Sequence, residues 1–359
     1  MVAPEIKETT FDRVSPDVDL VYVNDSEPGI RREKRGRGFC YRLPSGEAVS
    51  DPAIKARIAS LGLPPAYTDV WICLHENGHL QATGYDARDR KQYRYHNDWQ
   101  ALRSTDKFGQ LIPFARALPR FRRIVRRHLE GPVYSADTVL AGLVTLLDEE
   151  HLRVGSQAYA VQNRTYGATT LLKRHVRLDE ERIELSFVAK GGRRIRRVLR
   201  NPRLHRILEA VADLPGRQLF VCRKEDGTVH PIDSGRLNAY LAEHLGAGIT
   251  AKTFRTWAGS VAAFAAARDA LERGERPTIR RMCEAAAATL HNTPAICRSS
   301  YIHPDIIALA ERDGSPPDLG EPRALAGLRA EENRLLGFLL RSSDNDIASQ
   351  TMPTSVARR

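Results

Sequence analysis

Three stretches after residue 150 carry cations at positions that helix surfaces alone do not explain, and a fourth supplies a tyrosine. Arg153 follows an apolar helical stripe in HLRVGSQAYAVQNRTYGATTLLKRHV, where a cation also suits a helix C-terminus. Lys190 stands in FVAKGGRR, ahead of two glycines that read as a hairpin turn. In ITAKTFRTWAGS, Thr250 can cap a helix on which Lys252 and Arg255 lie one turn apart. In LHNTPAICRSSYIHP, Thr293-Pro294 starts a helix, Tyr301 lies about two turns in, and Pro304 ends it. Guanidiniums offer fixed forks of donors to anionic oxygens, an ammonium can release a proton, and a phenol can attack. Taken singly, each has a plain structural explanation: a helix-end cation, a solvated turn lysine, an exposed helix pair, a packing tyrosine.

Other chemistries find little support. There is no Walker loop, no H-E-x-x-H and no paired acidic cluster. Cys40, Cys73, Cys222, Cys283 and Cys297 are odd in number and scattered, which suits small buried side chains in a reducing interior better than disulfides or zinc. No apolar run approaches a membrane span, and the opening MVAPEIKETT has no signal-peptide core. The 359 residues carry 55 Lys and Arg against 44 Asp and Glu, a net charge of +11. That excess suggests a polyanionic partner, nucleic acid first.

The elements that must position these residues fall into two classes. A polar lead-in (1–18) precedes a small, mainly antiparallel β domain (19–116) with one helix near 52–61. Asn77-Gly78 marks a turn, and Tyr93 and Tyr95, two apart on a strand, share one face while Gln92 and Arg94 take the other. A boundary is expected near 114–119, before the arginine-dense RFRRIVRRHLE. Residues 117–312 then read as a mainly α domain, interrupted by a hairpin on Ile183, Leu185 and Phe187 that returns at Ile195. Helices are expected at 135–155, 201–212, 234–245, 251–273 and 278–290. A linker and C-terminal helix (313–341) and a disordered tail (342–359) complete an α+β chain.

Together, in this order, these segments resemble the active site of type IB DNA topoisomerases of the small poxvirus and bacterial kind. The likeness runs from about Leu20 to about Ile306 and includes EPGIRREKRGRGFCYR and TGYDARDRKQYRYH in the β half. The resemblance implies that Tyr301 is the nucleophile, that Arg153 and Arg255 bind the scissile phosphate, that Lys190 is the general acid and that Lys252 supports them. Ala189 replaces the glycine usual before that lysine. Asn292 stands where the poxvirus form has histidine and is assigned the non-bridging oxygen contact; His291 beside it is the other candidate. DNA contacts are implied for Gln92, Tyr93, Tyr95, Arg88, Lys91, Arg94, Tyr159 and Thr170.

The resemblance further implies a C-shaped clamp on double-stranded DNA, a 3′-phosphotyrosyl intermediate, and relaxation of supercoils of either sign without ATP, metal or other cofactor. The enzyme would be a cytoplasmic, nucleoid-associated monomer with no membrane and no obligate protein partner. A tyrosine recombinase shares the Arg–Lys–Arg–Tyr chemistry. Against it stand the β-rich N-terminal half and Lys252, where recombinases usually carry a histidine. A non-catalytic basic DNA-binding protein would leave the ordered motifs unexplained.

Overall fold

The computed structural model describes residues 13–15, 18–36, 38–87, 89–311, 319 and 324–350. The chain divides into two compact units, Met1–Asp106 and Lys107–Arg359.

In the first unit, β1 (Arg13–Ser15), inside what reads as a lead-in, and β2 (Val18–Val21) form an antiparallel ribbon. A five-stranded antiparallel sheet follows, built from β3 (Ile30–Arg35), β4 (Gly38–Arg42), β5 (Thr68–Ile72), β6 (Leu80–Tyr85) and β7 (Lys91–Tyr95) in the order β4-β3-β5-β6-β7. Helix α1 (Pro52–Ser60) starts where Asp51 accepts from Ala53 N at 2.7 Å and proline fills the first position. Its Ile58 packs with Ile30, Val70, Ile72 and Ala82, while Trp71, Cys73, Leu80 and Val23 form a second cluster. Apolar burial on both sides leaves β6 almost wholly buried and β7 as an edge strand. Helix α2 (Asn97–Gly109) leaves this unit and ends in the second.

The second unit is mainly helical around one core. Its helices are α3 (Leu111–Leu129), α4 (Ala136–Glu149), α5 (Gln157–Asn163), α6 (Pro202–Ala212), α7 (Ser234–Leu245), α8 (Ala251–Glu272), α9 (Ile279–Leu290), α10 (Pro294–Ser300), α11 (Pro304–Ala308) and α12 (Ala330–Gln350). Several begin on a side-chain cap, with Ser135, Asn201, Asp233, Thr278 and Thr293 each accepting a backbone N–H two or three residues into the helix. Helix α4 is buried from Thr138 to Leu147, so its leucines and valines each contribute roughly 1.5–3 kcal/mol of burial. Strands β8 (Val176–Asp179), β9 (Arg182–Ala189) and β10 (Arg193–Leu199) form a sheet in the order β10-β9-β8, and β11 (Val221–Arg223) pairs with β12 (Val229–Pro231).

Three expectations are corrected. The units part at Asp106/Lys107, and residues 114–119 lie within α3. Pro119 forfeits one helical N–H but is buried in the helix, with Gly327 so close that a Cβ there would stand 2.9 Å from its ring. The C-terminal helix starts at Ala330 and reaches Gln350, so residues 342–350 are helical; residues 351–359 lie outside the described ones. The polar RSSDNDIASQ reads as a tail, yet it contains no Gly or Pro to stop a helix already anchored by buried Leu335, Leu336, Phe338 and Leu339. Among the described residues no helix is long and apolar enough to cross a membrane.

Candidate active site

Arg153 lies four residues beyond the end of α4, so a helix dipole does not account for it. Its own backbone is fixed instead: Arg153 O accepts from Ala168 N at 2.8 Å, and Val154 O accepts from Thr169 N and Oγ1, both at 2.8 Å. The motif glycines permit this contact. Gly155 takes φ +96°, and a Cβ on Gly167 would stand 2.5 Å from Arg153 O. Thr170, expected on the DNA side, is instead 5% exposed, and its hydroxyl bonds Gly167 N at 2.9 Å to hold that same turn. Burial, then the charges of Arg255 and Arg193, push the Arg153 guanidinium below its ordinary value.

Lys190 occupies the apex of the β9–β10 hairpin, where Gly191 (φ 82°) and Gly192 (φ 76°) close the turn. It is exposed, and its Nζ stands 5.9 Å over the ring of Tyr159 on α5. Lys252 and Arg255 come from the first turns of α8. Thr250 does not cap through its own side chain; its N–H donates to Thr253 Oγ1 at 3.1 Å. Arg255 is 4% exposed, donates to His151 O and to Leu290 O (3.0 Å), and leaves Nε buried without a partner.

Tyr301 is half-buried and caps α10 rather than lying inside it. The Arg255 guanidinium carbon sits 5.1 Å from the centre of its ring. On α8, Ser260 Oγ donates to Tyr301 O at 3.2 Å and accepts from His303 N at 3.1 Å, which fixes the turn after the tyrosine. Asn292 is 8% exposed; its Oδ1 accepts from Thr293 N at 3.1 Å and its Nδ2 is buried without a partner. His291 takes a left-handed conformation (φ 48°) at the end of α9. Burial and the charges of Arg197, Arg255, Arg193 and Arg153 push its imidazole below the ordinary histidine value.

One open cavity of about 270 Å³ gathers Arg153, Tyr159, Lys190, Lys252, Arg255 and Tyr301. Among the described residues, none of the four cations is paired with a carboxylate. Uncompensated guanidiniums and orphaned buried donors suit an anionic ligand.

The first unit carries the other expected contacts. Tyr93 and Tyr95 stack on β7 with ring centres 6.1 Å apart and planes 10° from parallel, and are 49% and 39% exposed. Lys91 and Arg94, expected free for phosphates, are engaged within the protein: Lys91 Nζ pairs with Asp25 at 2.5 Å, and Arg94 donates to Gly62 O at 3.2 Å. Gln92 donates to Asp86 Oδ2 at 3.0 Å. Arg88 lies outside the described residues. Sequence reading missed four contributors. Arg193, Ser260 and Gly259 reach the nucleophile segment from β10 and α8, and Lys107 Nζ donates to Ser300 O at 3.3 Å. Strand alternation could have pointed to Arg193, which shares the parity of buried Ile195 and Leu199.

A β-sheet unit followed by a helical unit that assembles a tyrosine with unpaired Arg, Lys and Arg side chains matches a known class. Residues 38–86 match the family model for the bacterial DNA topoisomerase IB N-terminal domain, and residues 96–299 match that for the eukaryotic DNA topoisomerase I catalytic core. The chain belongs to the type IB DNA topoisomerase family. It is 30% identical over 286 residues to DNA topoisomerase 1B of Acanthamoeba polyphaga mimivirus, covering 76% of this chain and 85% of the relative. The β-rich first unit, with its own family match, removes the recombinase alternative.

Proposed function

We propose that this topoisomerase nicks one strand of duplex DNA through Tyr301 and reseals it with no ATP and no metal. The Tyr301 oxygen attacks the scissile phosphorus and its proton passes to solvent. A 3′-phosphotyrosyl bond forms as the P–O5′ bond breaks, and Lys190 gives its proton to the departing O5′. Arg153 and Arg255 match the charge that grows on the non-bridging oxygens, with Asn292 Nδ2 as a neutral donor. Its buried, unpartnered state supports assigning that contact to Asn292 rather than His291. The phosphodiester energy is conserved in the tyrosyl link, so the 5′ hydroxyl can reverse the step once the free strand has swivelled.

The observation that carries this reading is the convergence of Tyr301, Arg153, Lys190, Lys252 and Arg255 on one cavity in which, among the described residues, no carboxylate neutralises the cations. Guanidiniums here supply the positive charge that other phosphoryl-transfer sites take from metal ions. Incubation with positively and negatively supercoiled plasmid in EDTA without ATP tests it. Both substrates should relax with the natural protein and neither with Tyr301→Phe. A strict need for magnesium or ATP, or full activity of Tyr301→Phe, overturns it.

A further inference from the structure

The general acid assigned above sits at the exposed apex of a hairpin, on a long flexible side chain, yet a proton must reach one particular oxygen. The base of this hairpin is held by the pairing of β8 with β9 and by the Arg197–Glu150 ion pair, and two further contacts hold it nearer the tip. On one side Tyr166 N donates to Val188 O at 2.8 Å, which ties β9 to the turn carrying Arg153. On the other, Arg193 NH1 donates to Asn292 O at 3.0 Å. Arg193 is the first residue of β10 and pairs directly with Ala189, the residue before Lys190. It has the parity of Ile195 and Leu199, so its side chain leaves the core-facing side of the strand while Arg194 and Arg196 face away. The acceptor belongs to a residue only 8% exposed, directly before the Thr293 cap of the helix that ends at Tyr301.

The geometry points to Arg193 as a positioning residue that docks the Lys190 hairpin onto the nucleophile segment, so that proton donor and attacking group are set by one contact. The inference rests on the reading of Lys190 as the acid. A cation is suited to this role because a charge-assisted bond to a buried carbonyl is stronger than a neutral one. A neighbouring explanation is that Arg193 is simply a third phosphate-binding guanidinium, since its charge is felt at Arg153 and His291. The two make different predictions about the leaving group. A docking residue that acts through the acid matters only when the leaving oxygen needs a proton; a phosphate-binding residue matters for any leaving group.

The test uses the full chain and a duplex whose scissile 5′ oxygen is either kept or replaced by sulfur, which departs without a proton. Covalent adduct is trapped under single-turnover conditions for the natural protein, Lys190→Ala, Arg193→Ala, Arg193→Lys and the Lys190→Ala/Arg193→Ala double variant. On the oxygen substrate, Arg193→Ala should slow cleavage about 10- to 100-fold, the rate equivalent of one charge-assisted hydrogen bond. On sulfur it should recover most of that loss, as Lys190→Ala does. Arg193→Lys should restore part of the oxygen rate, and the double variant should be no slower than Lys190→Ala alone. Rescue of Lys190→Ala without rescue of Arg193→Ala would overturn the docking role and leave the acid assignment standing. So would additive losses, or a full oxygen rate for Arg193→Ala. If sulfur fails to rescue Lys190→Ala, the acid assignment itself falls, and the docking role with it.

Discussion

Gly259→Ala should slow strand cleavage far more than it destabilises the protein. Gly259 lies within α8, where alanine gains about 1 kcal/mol of helix propensity. An added Cβ would stand 2.8 Å from Tyr301 O, 3.1 Å from Tyr301 Cβ and 2.9 Å from Leu290 Cδ1. The leucine methyl can rotate away. The tyrosine carbonyl is held by Ser260 Oγ, which also receives His303 N, so relief requires the whole turn to retreat. A carbon–oxygen contact of about 3.3 Å would need a shift of roughly half an ångström. Overpacking of this kind costs about 1–3 kcal/mol, which the propensity gain offsets to about 0–2 kcal/mol. A reacting group misplaced by about 1 Å loses on the order of 10²-fold in rate, so a loss of about 10- to 100-fold is expected here. The assay is single-turnover adduct formation at saturating DNA, beside a denaturant melt. Gly142→Ala is the control: its Cβ meets Leu204 Cδ1 at 3.2 Å within the core around α4, and it should alter stability with little effect on cleavage. Natural cleavage by Gly259→Ala, or a loss no greater than the unfolded fraction explains, would refute the seat assigned to Gly259.

Burial and the charge of Lys252 push the Lys107 ammonium down to about 8, and Lys107 donates to Ser300 O beside the nucleophile. Lys107→Met should therefore remove an inflection near pH 8 from the cleavage rate; an unchanged pH profile contradicts it. Because the folded chain binds fewer protons than the unfolded one between that value and the ordinary lysine value, this group's contribution to stability rises with pH there. Glu332, 3% exposed, accepts from Arg122 at 2.7 and 2.8 Å and from Trp257 Nε1 at 3.3 Å, so Glu332→Ala should cost about 3–5 kcal/mol in a urea melt. Burial would raise the Glu332 carboxyl, but bonds from Arg122 and Arg329 N hold it below the usual range. Its stabilisation is present at neutral pH and is lost as pH falls through that lowered value. A melt of Glu332→Ala equal to the natural one would refute the role of this pair. DNA affinity should fall steeply between about 50 and 200 mM salt, and Arg122→Ala should leave that slope unchanged because Arg122 is held by Asp148 and Glu332. A slope reduced by about one would place Arg122 among the phosphate contacts.

Much of the site was legible because its residues sit on strong local signals. Thr293-Pro294, Ser135 and the Gly191-Gly192 turn each specify their element within a few residues, and strand alternation put Tyr93 and Tyr95 on one face. What was missed depends on contacts distant in sequence. Ser260 reads as an ordinary helical serine until Tyr301, 41 positions later, is laid against it. Lys91 reads as a phosphate-seeking cation, because nothing local reveals Asp25. Thr170 shares a motif with Arg153, but its hydroxyl serves the turn beneath that arginine. The boundary expected near 114–119 falls within α3, which runs through Pro119.

The measurement closest to the central claim is the chemical identity of the covalent adduct. A duplex with a short strand beyond the scissile bond is incubated with the natural protein in EDTA, and the trapped adduct is digested with nuclease and protease and mapped by mass spectrometry. The account predicts nucleotide linked to Tyr301 through its 3′ phosphate, and no adduct with Tyr301→Phe. Linkage to another residue, or through a 5′ phosphate, would contradict it.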